Sequence, residues 1–262
     1  GFSGGTRDMY GEILKFGAMI VDALVGYEHP VSVYIPPNGE LRGGAWVVID
    51  PTINEEVMEM YADEQSRGGI LEPPGICEVK FRAGDQLKAM HRLDPVLLGL
   101  DAELEEAHSD SDATSITAQI KEREESLLPL YLQVAHEFAD LHDRSGRMKA
   151  KGVVRDVLSW KRSREYLFWR TKRRLAENAM RAKYAAADAT LDRAAVTARA
   201  AALAGDAYDD DQAMIAWLES DAGAAALDAE LSTLRQAAVT ASVKGLLEQL
   251  PSAERDEVLK AL

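Results

Sequence analysis

Two glycine pairs are the residues in this sequence best suited to chemistry. Gly43-Gly44 stands directly before Ala45-Trp46-Val47-Val48, an apolar run. A backbone without Cβ atoms lets a ligand approach closely. If Ala45 onward is helical, its first amides have no acceptor inside the helix and point outward. Such amides suit an oxyanion, a carbonyl oxygen turning negative. The same spacing also fits a plain tight turn into a buried segment, and on glycine spacing alone the two readings stand side by side. The second pair, Gly4-Gly5, follows Phe2-Ser3 and precedes residues 11–25. There Tyr10, Ile13, Leu14, Met19, Ile20, Ala23 and Leu24 fall close to a 3.6-residue period, which predicts a helix. Thr6 or Asp8 is available to cap it. Two glycine loops, each feeding a helix and separated by a strand, could supply amides from two sides of one pocket.

The elements that must position these loops are mixed. Val31 to Ile35 is a β-branched and aromatic run, the pattern of a buried strand, and Pro36-Pro37-Asn38-Gly39 ends it in a loop. Met58 to Ala62 reads as a short element opening a further layer. Residues 76–81 alternate in part and predict a strand. On such a strand Lys80 and Arg82 face the same way. Residues 84–100 turn helical. The run His108-Ser-Asp-Ser-Asp-Ala-Thr-Ser within 107–117 is the most loop-like in the chain. A helix resumes over 120–141, where Pro129 is expected to bend or interrupt it. Residues 158–179 form a basic helix. Beyond about 180 the chain is alanine-rich and helical, with the acidic tract 206–211 as a linker.

A resemblance covers much of this. The stretches GFSGGTRDMYGEILKFGAMIVDAL, PVSVYIPPNGELRGGAWVVIDPTIN and MEMYADEQSRGGILEPPG, then EVKFR, FADLHDRSGRMKAKGVV and SWKRSREYLFWRTKRRL, are similar in order and density to the carboxyltransferase domain of eukaryotic multidomain acetyl-CoA carboxylase. The likeness fades from about residue 180. More distantly, the glycine loops resemble the oxyanion-hole loops of the crotonase superfamily. The resemblance implies an α/β fold with a crotonase-like ββα spiral core, a long helical insertion and a helical C-terminal extension. The expected division is 1–105 for the core, 106–180 for the insertion and its return, and 181–262 for the extension.

Activity and site follow from the same likeness. The family moves a carboxyl group from carboxybiotin to acetyl-CoA, giving malonyl-CoA for fatty acid biosynthesis, in a ligase whose parent enzyme also binds ATP. Both the thioester enolate and the biotin ureido group carry negative charge on oxygen, and losing one preorganised donor costs about 3 to 4 kcal/mol. A protein base is not required, because the biotin nitrogen can take the proton. Gly43, Gly44 and Ala45 would supply one set of amides, with Ser3, Gly4 and Gly5 near the biotin and carboxylate side. By resemblance Phe2, Trp46, Val48 and Glu72 line the pocket, and Lys80 and Arg82 contact the coenzyme A phosphates. Arg42 could reach a carboxylate, or pair with Glu40 or Asp50.

The implied partners are acetyl-CoA or malonyl-CoA, the biotin carboxyl carrier domain, the N-terminal half of the carboxyltransferase and a dimer partner. In the family an arginine precedes the Gly-Phe-Ser-Gly-Gly motif and recognises the transferred carboxylate. This sequence opens at Gly1, so the expectation is a catalytically incomplete piece. The other readings are a crotonase-like acyl-CoA hydratase or isomerase, for which Glu72 is the one tempting carboxylate, and a non-catalytic dimerising remnant.

Composition narrows the classes. A formal net charge of −14 over 262 residues argues against binding nucleic acid or an anionic membrane non-specifically. With 47% hydrophobic residues the chain can bury a sizeable core. Cys77 is the single cysteine, which points to a reducing compartment: the cytoplasm, with a plastid as the alternative. No cation sits beside it, so its role is structural. His136 and His142 lie near Asp140 and Asp143, but six residues apart they do not share a helix face, and no metal is expected. The basic, aromatic stretch 161–174 is expected to pair with acidic helices or a partner subunit.

Overall fold

The computed structural model describes residues 7–252, 254, 255 and 258. Phe2, Ser3, Gly4, Gly5 and the candidate cap Thr6 lie outside the described residues. The chain divides into two compact units, Gly1–Arg162 and Ser163–Leu262. The described part is a mostly helical α/β structure with a few short parallel strands.

In the first unit, β1 (Val31–Ile35), β3 (Met58–Ala62) and β5 (Asp156–Val157) form a parallel sheet in the order β1-β3-β5. Val31 pairs with Met58 and Ile35 with Ala62. A second parallel pair joins β2 (Glu40–Arg42) to β4 (Arg67–Gly69), with Arg42 opposite Gly69. Strand β3 has a neighbour on each side and is buried along its whole length, so its run is apolar rather than alternating. Its one acid, Glu59, accepts from the Tyr61 hydroxyl at 2.7 Å. The crossover from β1 to β3 carries β2, the short α2 (Gly43–Trp46) and a 3-10 turn at Pro51–Ile53. Ile35, Leu41, Met60, Ala62, Met148 and Val154 close the core beneath it.

Helix α1 (Arg7–Val25) matches the predicted period and is tied down at its far end. The Asn54 amide donates to Leu24 O, a carbonyl of the last helical turn, and to Tyr27 O just beyond it, each at 2.9 Å.

Two expectations are overturned in this unit. Residues 73–80 are helix α3 (Pro73–Lys80), not a strand. Pro73 and Pro74 occupy its first turn, where proline costs no hydrogen bond. Cys77 is then buried against Ala135 and Ala139, whose small side chains allow close approach. Residues 110–117 are not loop. Helix α6 (Asp110–Asp143) begins there because Ser109 Oγ accepts from Asp112 N at 3.1 Å, and Asp110 and Asp112 complement the helix N-terminus. At Pro129, expected to bend or interrupt the helix, α6 runs on without interruption. Packing on both sides holds the helix through it: Ile120 meets Met90 and Leu97, while Ala135 and Ala139 meet Cys77. Between α3 and α6 lie α4 (Ala83–Leu93) and α5 (Pro95–Glu105), with Asp94 capping α5 through Leu97 N at 3.0 Å. His91 bridges these helices, its Nδ1 to Asp101 at 2.6 Å and its Nε2 to Glu124 at 2.8 Å. Helix α7 (Ser145–Ala150) follows α6 directly.

Helix α8 (Trp160–Ala187) leads into the second unit, which adds α9 (Arg193–Ala204), α10 (Asp211–Glu219) and α11 (Asp221–Glu248). Met180, Tyr184, Val196, Ala200, Leu227 and Leu231 form its core. The acidic tract is not a linker. Residues Gly205–Asp209 are a 3-10 turn whose Tyr208 packs on that core. Asp210 caps α10 through Ala213 N at 2.8 Å. Asp211 Oδ1 accepts from Arg170 at 3.1 Å and Arg173 at 3.0 Å, so the basic helix does pair with an acidic one.

Candidate active site

The site grows from the end of β2. The Arg42 guanidinium donates to Glu40, at 2.9 and 3.1 Å, to Leu71 O at 3.1 Å, and to Asp143. Asp50 is not its partner. One strand over, Arg67 makes a two-pronged contact with Asp140, at 2.6 and 3.2 Å. The C-terminal turn of α6 therefore clamps both strands of the small pair. The Arg67–Asp140 pair holds the Asp140 carboxyl below its ordinary range.

Clamped this way, β2 turns directly into α2. The Gly43 amide continues the ladder by donating to Ile70 O at 3.1 Å. Gly44 and Ala45 lie in the first turn of α2, where the helix supplies no acceptor for their amides. The two glycines have different reasons for their missing side chain. A Cβ at Gly43 would come within 3.0 Å of Ile70 O. A Cβ at Gly44 would meet nothing within 4 Å, and the position needs no positive φ. The protein's own packing therefore does not demand glycine at 44.

Below the elbow, Trp46 Nε1 donates to Asp50 Oδ2 at 2.7 Å, and Asp50 Oδ1 accepts from the Thr52 amide and hydroxyl. Burial works against the Asp50 carboxylate, yet these bonds together hold it below its usual range. The indole is thereby fixed as a wall. Opposite it, Gly68 and Gly69 let the end of α6 and helix α7 come close: a Cβ at Gly68 would lie 2.5 Å from Met148 Sδ and 2.8 Å from Trp46.

Between α2 and α7 lies a cavity of about 550 Å³. Gly43, Trp46 and Val47 line it from one side, Gly69 and Ile70 from the end of β4, and His142, Arg147, Met148, Lys151 and Val153 from the other. The His142 Nδ1 faces Phe138 O at 2.8 Å; because a carbonyl only accepts, the proton sits on Nδ1. Its Nε2 is not engaged in that bond.

Of the residues named from sequence, Gly43 and Trp46 line this cavity, with Gly44 and Ala45 in the same turn of α2. Val48 instead packs toward Gly17 of α1. Glu72 is an exposed residue at the N-terminus of α3, away from the cavity lining. Lys80 ends α3 and Arg82 precedes α4, so the shared strand face assumed for them does not exist. Both are exposed, and neither has an ion-pair partner among the described residues. Ile70, His142 as a wall residue, Arg147, Met148 and Lys151 were not foreseen. The spacing of Arg147 and Lys151, four apart within a short helical segment, was the available signal.

A mixed α/β unit with a glycine elbow at the mouth of an apolar cavity is the frame into which the comparisons fit. The sequence profile described as "Carboxyl transferase domain" matches residues 1–175. The chain belongs to the carboxyl transferase family. It is 56% identical over 178 residues to a protein of Saccharomyces cerevisiae named "Acetyl-CoA carboxylase, mitochondrial". It is 55% identical over 181 residues to "Acetyl-CoA carboxylase" of Dictyostelium discoideum. Each alignment takes in 68% of this chain, and the chain spans 8% of the length of either relative.

Proposed function

We propose that this chain is part of the biotin-dependent carboxyltransferase of an acetyl-CoA carboxylase, forming malonyl-CoA from acetyl-CoA. The observation that carries this reading is the carboxyl transferase profile over residues 1–175, the segment that builds the elbow and its cavity, together with 56% identity over 178 residues to an acetyl-CoA carboxylase. The structural fit lies at Gly44, where an open approach to the backbone meets amides the helix leaves without acceptors. Carboxybiotin would supply the carboxyl group, delivered by a carrier domain. The amides of Gly44 and Ala45 would hold the thioester oxygen as it gains charge, while the Gly43 amide fixes the elbow through Ile70. Ser3, Gly4 and Gly5 would serve the biotin side. Trp46 would wall the acyl group, with Phe2, Val48 and Glu72 lining the wider pocket that the upstream half completes. Lys80 and Arg82 keep their role toward coenzyme A phosphates as exposed cations at a helix junction.

The fold reading that goes with this is a crotonase-like spiral core over 1–105, an insertion over 106–180 and an extension over 181–262. The end of the family match at residue 175 supports the last boundary. The upstream half of the carboxyltransferase and a second copy complete the site in this reading. Apolar side chains left exposed along one face of α6, namely Leu130, Val134, Phe138 and Leu141, support a covering partner. A cytoplasmic location goes with the reading. Among the described residues, no helix is long and apolar enough to cross a membrane.

The hydratase alternative needs a carboxylate over the acyl carbons. Glu72 lies away from the cavity, and Asp50, which does line it, is committed to Trp46 and Thr52. The test is malonyl-CoA decarboxylation coupled to biotin carboxylation, run on this chain alone and with the upstream half added. Activity that appears only with the upstream half is the expected result. Decarboxylation that ignores biotin in both forms would overturn the assignment.

A further inference from the structure

The cavity beside the elbow has cations that the reading above does not use. Arg147 and Lys151 both line it. They are four residues apart at the end of α7, so they project from one face of that turn. Neither has an ion-pair partner among the described residues, although the chain carries a formal charge of −14. By contrast Lys149, on another face, pairs with Asp156 at 2.5 Å. Helix α7 is held in place by Met148, which is buried and sits in the notch left by Gly68. The carboxylate that shares the lining, Asp50, is directed to Trp46 Nε1 and Thr52. The apolar part of the lining comes from Trp46, Ile70, Met148 and Val153.

We propose that Arg147 and Lys151 form an anion-holding rim for this cavity, which takes the apolar part of an acyl-pantetheine ligand with an oxyanion at its end. The inference rests on the acyl-CoA reading of the site and adds a binding role that Lys80 and Arg82 do not cover. The oxyanion is a phosphate of coenzyme A or the carboxylate of a malonyl group. Two exposed cations at an apolar mouth favour anionic ligands through Coulomb attraction that salt weakens.

The experiment titrates the full chain with pantetheine, malonyl-pantetheine and coenzyme A, read through Trp46 emission, with Trp46→Phe as the control for that signal. The expected wild-type result is at least tenfold tighter binding of an anionic probe than of neutral pantetheine, shrinking as salt rises. In the double variant Arg147→Gln/Lys151→Gln that preference is lost while pantetheine binding stays within twofold. In Lys80→Gln/Arg82→Gln a preference for malonyl-pantetheine is kept. Loss for coenzyme A alone assigns the rim to phosphate, loss for malonyl-pantetheine alone to carboxylate, and either supports the inference. The rim is refuted if the wild type prefers neither anion, or if Arg147→Gln/Lys151→Gln keeps the preference. Biotin-dependent decarboxylation in the assembled enzyme is read separately. A rim that fails while that activity stands sinks this inference alone.

Discussion

Replacing Gly44 by valine should separate the scaffold from the ligand. A Cβ at Gly44 meets nothing within 4 Å, and the position has no positive φ. A side chain there is therefore tolerated by the folded chain. Two small effects partly offset: glycine removal lowers the entropy of the unfolded chain, worth about 0.4–1 kcal/mol of stability, and a β-branched residue suits a helix slightly less well than alanine. The net change in stability should stay within about 0.5 kcal/mol, seen as a melting temperature within a few degrees of wild type. The isopropyl group, however, fills the space through which a thioester oxygen would reach the Gly44 and Ala45 amides. Losing one oxyanion donor costs about 10²–10³ in rate, and blocking the approach should cost at least that. The assay is biotin-dependent malonyl-CoA decarboxylation in the assembled enzyme, beside a thermal melt. Gly43→Ala is the counterpart. Its Cβ would lie 3.0 Å from Ile70 O and 3.2 Å from Ile70 Cγ2, so the neighbour must give and stability should fall by about 1–3 kcal/mol. If Gly44→Val folds normally and keeps activity within threefold, no ligand approaches there and the elbow is only a turn.

Other perturbations test the scaffold. Gly68→Ala places a Cβ 2.5 Å from Met148 Sδ and 2.8 Å from the Trp46 ring, so it should destabilise by about 1–3 kcal/mol and shift tryptophan emission; an unchanged melt would contradict the packing. The bonds that His91 donates to Glu124 and Asp101 raise its pKa above the ordinary value. The folded state thus binds the proton more tightly than the unfolded one. This stability is fully present below the unfolded pKa of about 6.5 and is lost as pH rises through the raised folded value. His91→Gln should flatten that part of the stability–pH curve, and a curve of unchanged shape would refute the linkage. Asp211→Ala removes a carboxylate shared by the buried Arg170 and Arg173, and should cost about 3 kcal/mol in a denaturant melt of the whole chain. A cost near zero there would show that Asp211 contributes little to holding the two guanidiniums.

Local pattern carried the elements whose reasons are local. The β-branched run of β1, the period of α1 and the glycine pair ahead of an apolar run were all legible, because strand, helix and elbow each depend on near neighbours. The family likeness was legible too, since the motifs lie in the described order. What failed had distant causes. Residues 76–81 read as a strand until Cys77 is seen against Ala135 and Ala139 of α6. The polar run at 110–117 is helical because Ser109 caps it and the helix packs on α4 and α5. The acidic tract looked like a linker because its arginine partners lie about 40 residues upstream on α8.

At the site the same division holds. From the sequence, Gly43 and Gly44 read either as backbone opened to a ligand or as a plain turn, and the family likeness set Trp46 beside them. It could not choose the Arg42 partner, because Asp143 is 101 residues away and only the fold brings it to β2. Nor could it show that Gly43 spends its amide on Ile70 while Gly44 is left open. The tertiary structure alone placed His142, Arg147 and Lys151 around the elbow. Side chains that far apart in the chain meet only when the end of α6 and helix α7 pack onto Gly68 and Gly69, where no Cβ stands in the way.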